Sequence, residues 1–157
     1  MIVSLADGAK VTDKTSLYEL GLQYMKRSRD LMMVIAGEDH PELPLIDLKL
    51  AECLQKVPAR SGQVLPAFEA AIARLERLYA SKEKGNGHNV MVAQALRSKV
   101  THLCRHNAFH EAVKDIRRVH AIESAVYGPT DPRTVEANEF LRIIVQNAVT
   151  MKRQASS

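Results

Sequence analysis

The chain has 157 residues, 46% of them hydrophobic and 25% charged, with 4% aromatics, no tryptophan and a formal charge of +4. That is chain enough for a continuous core without metals or disulfides, and too apolar a composition for disorder. Two cysteines outside any CxxC spacing argue against a disulfide framework and for a reducing compartment, and the diffuse basic excess, with a pI near 9.2, leans only faintly towards acidic partners.

Abundant Ala, Leu, Arg, Lys, Glu and Met favour helix over sheet, so the class is all-α. The opening "MIVSLADGAKVTDK" lacks the basic start, apolar stretch and cleavage site of a signal peptide, and no run approaches the roughly 18 apolar residues of a membrane span. The expectation is a cytoplasmic protein without membrane insertion.

About six helices are predicted, near residues 14–36, 42–57, 64–82, 89–106, 109–127 and 132–152, paired as antiparallel hairpins. They form one helical domain over 14–152, with an N-terminal extension, 1–13, and a tail, 153–157. In "AGEDHPELP", Gly37 closes the first helix and Pro41 opens the second. The turn "VPARSGQVLP" is long, and the junction "KEKGNGHNVM", which lacks prolines and relies on two glycines and Asn89, is expected to be the most mobile. At "RHNAF" the chain turns on Asn107, a residue tolerant of positive φ.

The fifth helix carries Phe109, Ala112, Val113, Ile116, Val119, Ile122, Val126 and Tyr127 in steps of three and four, hence on one face. Gly128 ends it as a left-handed cap, and Pro129 and Pro132 prevent its continuation. Asp131 caps the sixth helix with Pro132 at its first position, where a missing N–H costs nothing.

The punctuation recurs. Phe109 and Ala112 stand 19 and 16 residues before Gly128; the same offsets from Gly87 reach Phe68 and Ala71, and from Gly37 they reach Tyr18 and Gly21. Glycines 50 and 41 residues apart imply an internal repeat, the mark of a helical solenoid. Small residues at the middle position suit closely approaching helices.

Residues 92–132, "VAQALRSKVTHLCRHNAFHEAVKDIRRVHAIESAVYGPTDP", resemble the long kind of tetratricopeptide repeat found in kinesin light chains. In that kind a glycine-proline-aspartate-histidine-proline junction follows the second helix, and "AGEDHP" at 36–41 is similar to it. "YGPTDPRTVEANEFL" is also similar to the end of the repeat array in clustered-mitochondria proteins, and more loosely to the C-terminal helical domain of SET–MYND methyltransferases. The resemblance covers about residues 14–150, and the chain reads as beginning on the second helix of a repeat.

The resemblance implies a right-handed solenoid of helix hairpins, a tetratricopeptide-like adaptor or scaffold whose first helices line a concave groove for a peptide or helix of a partner protein. Equivalent first-helix positions hold Lys49 and Lys99, followed by Lys56 and His106, with His102 beside them; such a row suits an acidic peptide or a C-terminal carboxylate, the alternative being that these lysines are plain solvated surface. Tyr24, Glu52 and Phe140 are lesser candidates. The alternatives are an RNA or ribonucleoprotein subunit, suggested by "MKRSR", "RLERL" and "IRR", and a purely structural subunit of a larger assembly.

His102 and His106 lie four apart, a spacing that chelates zinc, with His110 and Cys104 near. No second ligand pair accompanies them and Cys104 falls on the apolar face with Val100, so no metal or other cofactor is assigned. Asp39 and His40 are acid and base by type, but their place in the junction assigns them to capping. Without a phosphate loop, GxSxG, HExxH or paired carboxylates, neither an enzyme nor a small-molecule substrate is expected.

Overall fold

The computed structural model describes residues 6–79 and 89–157, with the first helix's side chains described from Lys14 onward. Gly87 and most of the "KEKGNGHNVM" junction lie outside the described residues, so the middle punctuation of the repeat is not described. The described residues form six α-helices and no strand: α1 (Ala6–Ala36), α2 (Leu43–Leu54), α3 (Val64–Tyr79), α4 (Val90–Arg105), α5 (Phe109–Tyr127) and α6 (Pro132–Ser156), with a 3₁₀ turn at Pro58–Gln63. The fold is all-α.

Contacts divide the chain into two compact units, Met1–Ala71 and Ile72–Ser157. In the first, α1 and α2 pair over a core of Leu22, Leu50, Ala51, Leu54, Val57, Val64 and Phe68, edged by Tyr18, Met25 and Ile46. In the second, α4 packs on α5 and α5 on α6, burying Val92, Leu96, Val100 and Leu103 of α4, Ala112, Ile116, Val119 and Ile122 of α5, and Ala137 and Ile144 of α6. Each large apolar side chain so buried contributes about 1.5–3 kcal/mol.

The helix ends follow the chemistry of their residues. Gly37 (φ 88°) and Gly128 (φ 94°), each directly after the last residue of a helix, have positive φ, as does Asn107 (φ 58°), two residues past the end of α4. Asn107 closes a Schellman turn, in which the Ala108 N–H donates to the Leu103 carbonyl at 2.8 Å and the Asn107 N–H to that of Cys104 at 3.1 Å. Gly128 differs from the expected left-handed helical cap, because its ψ of 158° leaves the chain extended. Asp131 accepts from the Arg133 N–H at 2.9 Å, with Pro132 opening α6. Asn89 caps α4 by accepting from the Met91 N–H at 2.7 Å.

Further expectations need correction, among them the sixth helix, which runs on to Ser156 through the expected tail instead of ending at 152. Pro41 does not open α2: the helix begins at Leu43, Pro44 takes the early position, and His40 Nδ1 accepts from the Glu42 N–H at 3.3 Å in the preceding turn. The second helix stops at Leu54 rather than at 57, because Val57 precedes Pro58 and is held extended at φ −116°, ψ 98°. The first helix starts at Ala6 rather than at 14, and no proline interrupts the chain from there to Ala36. Gly21 serves no close approach: a Cβ built on it meets no described atom within 4 Å, whereas the equivalent Ala71 and Ala112 are fully buried.

Of the aromatics at the repeat positions, Phe68 is fully buried while Tyr18 and Phe109 are half-buried, and Tyr18 packs on the edge of the first core.

Candidate interaction grooves

The short turns on either side of α5 bring α4 and α6 together on one side of it. Arg97 on α4 makes a two-point ion pair with Glu123 of α5, its Nε and one terminal nitrogen each 2.8 Å from a carboxylate oxygen. The same terminal nitrogen donates to the Arg133 carbonyl at the start of α6, at 3.1 Å. Arg97 thereby ties three helices. The bond to Glu123 raises its pKa further above the ordinary arginine value, against the opposing effect of burial. At the α5–α6 junction the Arg133 guanidinium lies 3.5 Å from the centre of the Tyr127 ring and also pairs with Asp131, whose carboxyl is held below its usual range by those hydrogen bonds.

Between α4 and α6 runs a groove of about 500 Å³ lined by Arg97, Ser98, Thr101, Glu136, Glu139, Phe140 and Ile143. These side chains recur every three or four residues on each helix, so a single face of each contributes. Phe140 is half-buried, Ile143 is 56% exposed, and the two glutamates stand on the α6 rim. Arg97 is already matched by Glu123, with Glu136 at 3.8 Å, so the groove combines an apolar strip with carboxylates.

A second groove, of about 580 Å³, lies between α5 and α6 and has the opposite character: His110, Lys114 and Arg117 border Val113, Val145, Ala148 and Val149. In the first unit, Lys26, Arg29, Asp47 and Gln63 border a smaller hollow of about 170 Å³ floored by Leu50, Leu54, Ala67 and Ala70. Asp47 is buried there, 3.5 Å from Arg29.

The lysines and histidines expected to line the groove are dispersed. Lys49 and Lys56, in the first unit, are exposed, and the Lys56 ammonium sits 5.2 Å from the centre of the Tyr18 ring. Lys99, in the second unit, is turned away from the α4–α6 groove to Asp115 on α5, at 2.9 Å, with both side chains largely buried. His102 is 6% exposed, its pKa lowered by burial and then by His106 and Arg105, and its ring centre lies 4.5 Å from that of the exposed His106. Cys104 is half-buried, which pushes its thiol up. Among the described residues no group of three His, Cys, Asp or Glu is placed to hold a metal ion, and no helix is long and apolar enough to cross a membrane.

Of the lesser candidates, Phe140 lies in the α4–α6 groove, while Tyr24 and Glu52 are exposed in the first unit. Glu136, Glu139 and Ile143 were not singled out from the sequence, although with Phe140 they repeat on α6 at the spacing of a single helical face.

No family model matches the chain. It is similar to clustered mitochondria protein homologs: 31% identical over 136 residues to that of Caenorhabditis elegans, 25% over 140 to that of Homo sapiens and 26% over 133 to that of Danio rerio. These matches take in 85%, 88% and 84% of this chain and 10%, 10% and 9% of the relatives, so the chain spans about a tenth of the length of the curated relatives it matches.

Proposed function

We propose that the chain is a non-catalytic, tetratricopeptide-like adaptor module, and that its α4–α6 groove receives a peptide or helix of a partner protein. The observation that carries this reading is the open strip of Phe140 and Ile143 between Ser98 and Thr101 on one helix and Glu136 and Glu139 on the other. An apolar strip with a polar rim is the composition of protein-recognition surfaces. Similarity to clustered mitochondria protein homologs supports a role connected with the clustering of mitochondria.

The charge of the groove alters the expected partner. An acidic peptide was expected from a row of lysines, but Lys99 is matched by Asp115 and the groove offers carboxylates. The occupant proposed is a segment with apolar anchors flanked by lysine or arginine. The test is affinity capture from the native cell extract by the wild-type chain and by Ile143→Glu, a change at an exposed position that leaves the cores untouched. Loss of a captured protein from the variant is expected; an unchanged set of partners overturns the reading.

The α5–α6 groove favours a second reading. His110, Lys114 and Arg117 border a floor of Val113, Val145 and Val149, which suits an acidic amphipathic segment better than a single-stranded nucleic acid, whose bases stack on aromatic side chains. Binding that falls steeply with salt and disappears with nuclease would move this second surface to RNA.

A further inference from the structure

α1 is apolar on two opposite faces. One, with Tyr18, Leu22 and Met25, packs into the first core. The other carries Leu17, Leu20, Tyr24, Leu31, Val34 and Ile35, each between 47% and 83% exposed. Six large apolar side chains in one exposed stripe mark an association surface rather than ordinary scatter.

The stripe follows a heptad rule. Leu17, Tyr24 and Leu31 stand seven apart, and Leu20, Arg27 and Val34 stand seven apart three residues later, giving the a and d positions of a coiled-coil seam about 26 Å long. Arg27, which is exposed, is the seam's one charged member, and Tyr24 its one aromatic.

We propose that this seam pairs α1 with α1 of a second copy of the chain, in antiparallel orientation. A single register then fills every layer. Leu17 meets Val34, Leu20 meets Leu31 and Tyr24 meets Arg27, each pair occurring twice about the two-fold axis. The seam's single cation thus falls on the seam's single aromatic ring, a contact that offsets the cost of burying the guanidinium. A parallel pair would stack Arg27 on Arg27 at the centre, a like-charge layer in an apolar seam. The inference rests on α1 alone and on neither groove of the second unit.

The test is light scattering and sedimentation of the purified full chain, followed by crosslinking. A dimer is expected. Tyr24→Glu, which sets a carboxylate opposite Arg27 of the second copy, retains it; Tyr24→Arg and Leu31→Glu weaken it by at least about tenfold. All three changes are at exposed positions, so an unchanged circular dichroism spectrum shows that any loss belongs to association rather than to unfolding. Mixing Leu20→Cys with Leu31→Cys chains is expected to trap mixed disulfides in preference to like pairs, with the unsubstituted chain and its half-buried Cys53 and Cys104 as the blank. A monomer at micromolar concentration, a dimer indifferent to Leu31→Glu, or predominantly like-paired Leu20→Cys disulfides would each overturn the proposal, the first leaving the stripe to a helix of another protein.

Discussion

Arg97 and Glu123 meet in two parallel hydrogen bonds of 2.8 Å, and Glu123 is only 5% exposed. Because Arg97 also holds the first turn of α6 through the Arg133 carbonyl, the pair sets both the α4–α5 packing and the width of the α4–α6 groove. Removing one partner leaves the other's charge desolvated, which costs 3–5 kcal/mol in a fully buried pair. Since a quarter of the Arg97 side chain remains in contact with water, Arg97→Leu should cost about 2–3 kcal/mol in urea unfolding. It should also weaken partner binding in the groove more than it alters helix content at 25 °C.

The glycines divide by conformation. Gly128 sits at φ 94°, ψ 158°, a region essentially confined to glycine, so Gly128→Ala should destabilise by about 1–3 kcal/mol. Gly21, within α1 and with open space where a Cβ would stand, should behave oppositely, Gly21→Ala raising stability by about 0.5–1 kcal/mol. Thermal unfolding of the two variants should shift the midpoint in opposite directions.

His102 gives the second unit a dependence on pH. Its folded-state pKa is lowered from 6.5, chiefly by burial, so below the unfolded value the unfolded chain binds more protons than the folded one. The corresponding stability is present above pH 6.5 and is lost as the pH falls towards the folded-state pKa. His102→Gln should flatten this part of the stability profile, read as the unfolding midpoint at pH 7.5 against pH 5.5.

Charge reversal separates the two lysines once assigned a common wall. Lys99→Glu would set a carboxylate against Asp115 in a largely buried place and should cost about 2–4 kcal/mol, while Lys49→Glu, at an exposed position, should stay within about 0.5 kcal/mol of wild type. Loss of partner binding in Lys99→Glu therefore has to be compared with its unfolding curve.

Helix punctuation was legible because it is local. The Asp131 cap, the Pro132 start and the positive φ of Asn107, Gly37 and Gly128 each depend on a few neighbouring residues. The early end of α2 is written in the Val57–Pro58 step, since a residue before proline is pushed out of the helical region. The groove was not legible from charge alone, because a lysine's partner depends on the register between helices. A signal did exist: Lys99 and Asp115 stand eight residues to either side of the turn at Asn107, so the α4–α5 hairpin sets them opposite one another. Arg97 and Glu123 have no such symmetry about that turn, and only packing brings them together.

The most direct test of the α4–α6 groove is site-specific photo-crosslinking in cells, with a photoreactive phenylalanine analogue in place of Ile143 in the groove, or of Glu111, exposed on α5, as control. Crosslinks to one partner segment rich in apolar and basic residues from position 143, and none to that segment from 111, are the expected result. No partner crosslinked from position 143, or the same partners from both positions, would contradict the account.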